Sequence, residues 1–185
     1  MNLKDIWNFL WKSDSPWSWL TDFVLAFLIV RFVFFPLMSL TLGTSLPLVV
    51  VESGSMEHSG MNFDSWWAAN SGFYESLNIT KEQFQSYSLS NGFDKGDIIV
   101  SMGAKNYERG DVIIFSTPSQ STPIIHRLMY QNEDITFATK GDHNPYQLPQ
   151  EKSIPRGSII SKAVFRIPKL GWLKLFFVEL FTGFK

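Results

Sequence analysis

Residues 23–42 form an apolar stretch of twenty residues that contains a single charged side chain, Arg31. An α-helix needs about 20 residues to cross the hydrocarbon core of a bilayer, so this length predicts a transmembrane helix. Apolar residues surround the helix axis, whereas a buried core helix of a small domain would keep a polar face. Trp17 and Trp19 precede the stretch, where aromatic side chains favour the membrane interface. The sequence therefore predicts a membrane-anchored chain.

The stretch is longer than the roughly 7 to 15 apolar residues of a cleaved signal peptide, and it begins late. We therefore interpret it as an uncleaved signal anchor. Lys4 and Lys12 precede it, whereas residues 43–62 contain no Lys or Arg, so the positive-inside rule puts residues 1–22 in the cytoplasm. The remainder of this single-pass chain is then expected on the extracytoplasmic side of the cell membrane.

The C-terminal segment, residues 168–185, is also apolar and aromatic, but Lys169, Lys174 and Glu179 interrupt it. Its uninterrupted part is short for a membrane span, which favours an amphipathic interfacial helix. A short membrane helix and a helix packed on the preceding domain are the alternatives.

Short runs rich in Val and Ile, bounded by Gly, Asp, Asn and Pro, fill residues 46–167 and indicate β-strands. So many short strands predict a mainly β fold, built as a small antiparallel sheet domain. Gly96-Asp97 and Gly110-Asp111 each precede such a run, and we interpret both as turns into strands. The candidate strands are residues 46–52, 97–102, 111–117, 123–130, 135–139 and 158–166.

An aromatic insertion, residues 57–91, interrupts this domain with Trp, Phe and Tyr set among Ser, Asn and Gln. Thr80 followed by Gln83 predicts a capping box at the start of a short helix. Residues 78–80 also match the acceptor pattern for N-glycosylation, but helix capping is the favoured interpretation because such tripeptides are common by chance. The insertion is expected to rest its aromatic face on the domain or on lipid.

Composition excludes several classes of function. The 185 residues carry a net charge of -1, which disfavours nucleic-acid binding, and the absence of Cys removes disulfides and thiolate chemistry. The three His residues show no metal-binding spacing, and glycine patterns for phosphate cofactors are missing. No cofactor and no metal is implied.

The remaining candidate for covalent chemistry is a serine. Ser55 follows a candidate strand in a corner of small residues, and His126, in another candidate strand, could act as the base that its hydroxyl needs. Asp142 is the nearest downstream carboxylate that could orient the imidazole. Taken singly, each signal has a plain structural alternative: a turn for the serine, a strand histidine, and a third Gly-Asp turn for Asp142.

Four segments occur in an order that resembles the type I signal peptidases, in the archaeal and endoplasmic-reticulum branch: residues 53–57, 107–115, 124–127 and 139–144. The family's nucleophile matches Ser55. His126 stands where bacterial relatives carry a catalytic Lys, which indicates the Ser-His branch. His58 departs from the proline that the family usually has at that position.

The resemblance implies a membrane-anchored serine endopeptidase that cleaves signal peptides from exported preproteins after small residues. Ser55 would attack the scissile carbonyl and His126 would act as base and then as acid. The Ser55 N–H, with the Ser53 hydroxyl, would stabilise the oxyanion. Implied partners are signal peptides, membrane lipid and the protein-export channel. Met56 is expected to pack beneath the site, and Arg127 to orient nearby carboxylates or carbonyls.

The carboxylate that completes the site stays open at this stage. Relatives commonly carry an Asp six residues beyond the Gly-Asp pair, but that position is Leu148 here. Asp142 is the favoured acid; Glu151 in its place, or a Ser-His dyad without an acid, are the alternatives.

Competing interpretations are a peptidase of the same family with narrower substrates, a catalytically silent membrane-tethered β domain that binds peptides through a sheet edge, and a structural envelope protein.

Overall fold

The protein is described by a computed structural model over residues 2–182. The chain divides into two compact units, Met1–Thr41 and Leu42–Lys185. The first unit is helical, and the second holds a six-stranded sheet with further helices.

The N-terminal helices begin at clear capping residues. Asn2 and Asp5 form a capping box, and the Ser15 hydroxyl accepts the Ser18 N–H at 3.2 Å, one residue before Pro16. The elements are α1 (Leu3–Lys12), α2 (Pro16–Ile29), a π-helical turn (Val30–Phe34) and α3 (Phe35–Leu42).

One continuous helix, Pro16–Leu42, is long and apolar enough to cross a membrane. It contains the predicted span of residues 23–42 and extends it toward the N-terminus. The π-helical turn ends two residues before Pro36, which has no N–H to donate into the helical ladder.

The second unit confirms the predicted fold class, because its sheet is entirely antiparallel with the strand order β1-β2-β6-β3-β4-β5. All six predicted strands are present, most of them with ends shifted by one to three residues. Their bounds are β1 Leu48–Val50, β2 Ile98–Met102, β3 Val112–Thr117, β4 Gln120–Gln131, β5 Phe137–Lys140 and β6 Ile159–Ile167.

Strand β3 lies inside the sheet and is buried on both faces. Val112 and Ile114 pack into one apolar cluster, whereas Ile113 and Phe115 pack into a second, as the alternation of side chains along a strand requires. Met56 is fully buried in the first cluster, which confirms its packing role. The sheet is therefore a rigid support for residues at its strand ends.

Both Gly-Asp pairs form the predicted turns. Asp97 and Asp111 each accept, through Oδ2, the N–H of the residue three positions earlier at 2.9 Å. Gly96 and Gly110 precede them with φ of 88° and 94°, a region that favours glycine.

The aromatic insertion is mostly helical, with α4 (Phe63–Ser76) and α5 (Lys81–Gln85). Thr80 caps α5 in a capping box with Gln83, as predicted. Helix α4 was not predicted, although Asn62 caps it by accepting the Ser65 N–H at 2.9 Å.

Two 3-10 turns precede the C-terminal segment, which contains one helix, α6. The turns are Pro149–Glu151 and Arg156–Ser158, and the helix is Trp172–Thr182. Its first turn is held on the sheet domain, because the Gly171 N–H donates to the Gly96 carbonyl at 2.8 Å and Leu175 is buried. Further apolar side chains are exposed: Leu170, Leu173, Phe176, Phe177 and Leu180.

Candidate active site

Ser55 and His126, distant in sequence, meet at the end of β1. Ser55 lies in the turn that follows this strand, and His126 projects from the middle of β4. The Ser55 Oγ and the His126 Nε2 are 2.9 Å apart, which is hydrogen-bonding distance. The hydroxyl is half-buried and the imidazole is buried. The pair therefore has the geometry of a nucleophile beside its base.

Glu151 lies on the other side of the imidazole. Its Oε1 contacts the His126 Nδ1 and also accepts the Thr139 hydroxyl at 3.2 Å, while its Oε2 accepts the Leu148 N–H at 2.8 Å. The carboxylate is fully buried. Ser55, His126 and Glu151 thus form a continuous hydrogen-bonded chain, the arrangement by which a carboxylate fixes an imidazole tautomer.

Asp142, the favoured acid of the sequence analysis, lies elsewhere. It is fully buried and paired with Arg127, whose Nε and Nη2 donate to the two carboxylate oxygens at 3.0 and 2.7 Å. The His58 Nε2 and the Tyr74 hydroxyl are also within 3.4 and 3.2 Å of these oxygens. The strand register pairs Arg127, and not His126, with Lys140 at the end of β5, so Asp142 follows on the side of Arg127. Glu151 occupies the position beside the His126 Nδ1.

The charges at Asp142 and Arg127 are fixed by their pairing. Burial disfavours the ionised form of Asp142, but the adjacent guanidinium outweighs it and holds the pKa of this carboxyl well below its usual range. Burial likewise disfavours the charged form of Arg127, yet Asp142 raises the pKa of the guanidinium. Arg127 also donates to the carbonyls of Ser88, Leu89 and Gly110. Its predicted role in orienting carboxylates and carbonyls is confirmed.

The loop that carries Asp142 touches the nucleophile through its backbone. The His143 N–H donates to the Ser55 carbonyl at 2.9 Å, and the Asp142 N–H approaches the Met56 sulfur at 3.3 Å. A side chain at Gly141 would collide with this arrangement, since its Cβ would lie 2.7 Å from the Ser55 carbonyl oxygen and 2.8 Å from the His126 Nε2. Asp142 therefore bears on the site by supporting the loop beneath Ser55.

Ser53, the predicted oxyanion partner, is next to the nucleophile. Its hydroxyl lies 3.3 Å from the Ser55 hydroxyl.

An open cleft of about 700 Å³ leads to the Ser55 hydroxyl. Within residues 2–182, β1 pairs only with β2, and β4 pairs with β5 only from Arg127 onward, so β1 and β4 each have an unpaired stretch of edge. Residues from both stretches line the cleft, among them Leu48, Val50, Ile124 and Ile125. An extended peptide can pair with such edges by strand addition.

These features define a class of protein: a small antiparallel β domain that presents a Ser-His-carboxylate chain at a peptide-sized cleft, on a chain with an N-terminal apolar helix of spanning length. Such a chain of groups can perform acyl transfer through a serine nucleophile. Among residues 2–182, no group of acidic or histidine side chains is arranged to hold a metal ion.

Two fungal proteins are similar to this chain, and both are signal peptidase complex catalytic subunits SEC11. The Eremothecium gossypii protein is 25% identical over 173 residues, which cover 86% of this chain and 84% of that protein. The Candida tropicalis protein is 25% identical over 104 residues, covering 51% of this chain and 63% of that protein, less than two thirds of its length. No family model matches the chain. The similarity confirms the resemblance to signal peptidases that the four segments predicted.

The sequence did not indicate the role of two further residues. His58 and Tyr74, both within the insertion, contact Asp142. For Glu151, the available signal was local: Pro149 opens a 3-10 turn with an acidic residue two positions later, a pattern in which the carboxylate folds back to accept the preceding N–H.

Proposed function

We propose that this protein is a membrane-anchored serine endopeptidase that removes signal peptides from exported preproteins. The observation that carries the proposal is the hydrogen-bonded chain Ser55–His126–Glu151 at the end of the cleft. The names of the two relatives, catalytic subunits of a signal peptidase complex, support the same activity.

The reaction follows from the positions of these groups. The Ser55 Oγ attacks the scissile carbonyl carbon while its proton passes to the His126 Nε2, giving a tetrahedral intermediate. The intermediate collapses when His126 returns this proton to the leaving amine, which frees the mature chain and leaves an acyl ester on Ser55. A water molecule gives a proton to His126 and attacks the ester carbonyl. His126 then returns this proton to the Ser55 Oγ, which releases the signal peptide as a carboxylic acid and restores the serine hydroxyl.

Two further groups stabilise the charges that develop. Glu151 stabilises the imidazolium formed in each step and holds His126 in the Nδ1–H tautomer. Asp142 does not take this role because it is bound by Arg127. The Ser55 N–H and the Ser53 hydroxyl stabilise the oxyanion, and one such donor contributes about 2.7 to 4 kcal/mol to catalysis.

The substrate is an extended segment that lies between the free edges of β1 and β4. Backbone pairing with both edges would present the scissile bond to Ser55 independently of the side chains of the peptide. The apolar residues that line the cleft would leave space for the small side chains of an Ala-x-Ala site.

The anchor supports this choice of substrate. We propose that residues 23–42 of the helix Pro16–Leu42 cross the membrane, with residues 1–22 in the cytoplasm and the sheet domain, residues 46–167, outside. The exposed apolar side chains of α6 would then contact the membrane interface. Tethering raises the effective concentration of catalyst near signal peptides that leave the export channel.

Cleavage of a preprotein with an Ala-x-Ala site by the detergent-solubilised full chain tests the proposal. Wild type is expected to release a product with the new N-terminus after the second alanine, and Ser55→Ala and His126→Ala to release none. Ser76→Ala removes an exposed hydroxyl on α4 and should cleave as wild type does. A folded wild type without activity, or an active Ser55→Ala, contradicts the proposal, and retained binding of the peptide would then identify a silent peptide-binding domain.

A further inference from the structure

The insertion, residues 57–91, forms an aromatic cluster of its own on one face of β4. Trp66, Trp67, Tyr74 and Phe84 pack together with Met129 of this strand. The insertion leaves and rejoins the sheet domain at one place, because the Phe93 N–H donates to the Met56 carbonyl at 3.1 Å. The insertion therefore begins and ends at neighbouring positions, and it starts immediately after the turn that carries Ser55.

Two side chains of the insertion reach from this cluster to Asp142. The Tyr74 hydroxyl lies 3.2 Å from Oδ1 and the His58 Nε2 lies 3.4 Å from Oδ2. Tyr74 is fully buried and His58 nearly so. The His58 ring is stacked flat on Trp66, with 3.7 Å between the ring centroids and 3° between the planes.

Charge pairing does not require these two contacts, because Arg127 already donates two hydrogen bonds to Asp142. What they add is a fixed location for the carboxylate relative to the insertion. The chain near Asp142 holds the Ser55 carbonyl through the His143 N–H, and Met56 contacts the Asp142 N–H. Through His58 and Tyr74, the insertion thus contacts the loop whose backbone holds the Ser55 carbonyl.

We propose that His58 and Tyr74 are positioning residues that act through Asp142 to hold Ser55 at hydrogen-bonding distance from His126. The proposal rests on the proposed peptidase function. A misplacement of about 1 Å by a change away from the reacting atoms can lower a rate about 10²-fold, so modest movement of the loop would be measurable.

Paired substitutions separate positioning from packing at His58. His58→Phe keeps an aromatic ring on Trp66 and removes the donor to Asp142, whereas His58→Gln keeps an N–H donor near the Nε2 position and removes the stack. We expect His58→Phe to lower kcat about 10-fold or more with KM unchanged, and His58→Gln to retain most of the wild-type kcat. The reverse order, with Phe active and Gln impaired, overturns the proposal because it assigns His58 to the aromatic cluster.

Tyr74→Phe removes a single hydroxyl, and Tyr87→Phe is its matched control, since Tyr87 packs against the same cluster. We expect Tyr74→Phe to lower kcat as His58→Phe does, and Tyr87→Phe to keep the wild-type value. Equal kcat for the two Tyr variants overturns the role of Tyr74.

A second readout needs no substrate. The His126 Nδ1 proton, hydrogen-bonded to Glu151, is expected to give a low-field proton NMR resonance. This resonance should move in His58→Phe and Tyr74→Phe and stay in Tyr87→Phe. If the resonance is unmoved in all three variants, the positioning role of His58 and Tyr74 is overturned. If wild type cleaves no preprotein, the proposed function is overturned, and the resonance alone then decides the positioning role.

Discussion

Replacing Glu151 with Gln tests the carboxylate that we propose acts in catalysis. The amide keeps the size of the side chain and an oxygen that can accept the Thr139 or Leu148 hydrogen bond. It removes the negative charge beside His126. Because the side chain is fully buried, water cannot replace that charge.

The size of the effect follows from the charge that His126 gains during the reaction. A carboxylate and an imidazolium about 4 Å apart attract each other by about 4 kcal/mol at an effective dielectric constant of about 20. Each 1.4 kcal/mol corresponds to about a tenfold change in rate, so we expect Glu151→Gln to lower kcat about 10³-fold. An amide in place of the carboxylate of a serine-protease triad lowers kcat by about 10⁴, which agrees in order of magnitude.

The assay is single-turnover cleavage of the preprotein, with thermal unfolding followed by circular dichroism on the same samples. Asp142→Asn is the informative comparison. It leaves the Arg127 guanidinium buried without its partner, so we expect it to lower the free energy of unfolding by about 3 to 5 kcal/mol. A Glu151→Gln variant within tenfold of wild type, or an Asp142→Asn variant that loses 10³-fold in kcat at unchanged stability, would refute the assignment of Glu151.

Two other predictions address the last residue of β5, Lys140, and the glycine that follows it. Burial lowers the pKa of Lys140 to about 8, whereas an unfolded lysine titrates near 10.4, so the unfolded chain binds more protons between these values. The free energy of unfolding of wild type, relative to that of Lys140→Met, should therefore rise from about pH 8 to about pH 10.4. Thermal unfolding of both proteins across this range measures the difference, and a difference that does not change with pH would contradict the lowered pKa of Lys140. Gly141→Ala should lower kcat at least about tenfold, because the new Cβ would lie 2.8 Å from the His126 Nε2; wild-type kinetics in this variant would show that the loop yields without disturbing the imidazole.

The strands could be predicted because their signals are local. Asp97 and Asp111 each close a turn within three residues, and the β-branched residues that follow them alternate on a pleated surface. Strand ends and these turns therefore depend on neighbouring residues that the sequence displays. Helix α4 has a weaker local signal, because its mixture of aromatic and polar residues is ordered by packing on Met129.

The meeting of Ser55 and His126 could be predicted from the order of the sequence segments, but the carboxylate that lies beside His126 could not. Which carboxylate faces the His126 Nδ1 depends on the register between β4 and β5 and on where the 3-10 turn returns to the sheet. A shift of one residue in such a register reverses the face on which a side chain lies. The Gly-Asp pattern downstream of His126 favoured Asp142. No local pattern indicates that Asp142 is the carboxylate that Arg127 binds.

The two carboxylates are equally buried, and their partners decide what each can do. Arg127 is charged at every stage of a reaction, so Asp142 interacts with it equally in the ground state and in the transition state and cannot lower the barrier directly. In the proposed reaction His126 takes the proton of Ser55 and gains a positive charge, so its attraction to Glu151 would grow as the barrier is crossed. Only a buried charge whose partner changes charge can stabilise a transition state selectively. On this criterion we propose that Glu151 acts in the chemistry and that Asp142 helps to hold the loop that contacts the Ser55 carbonyl.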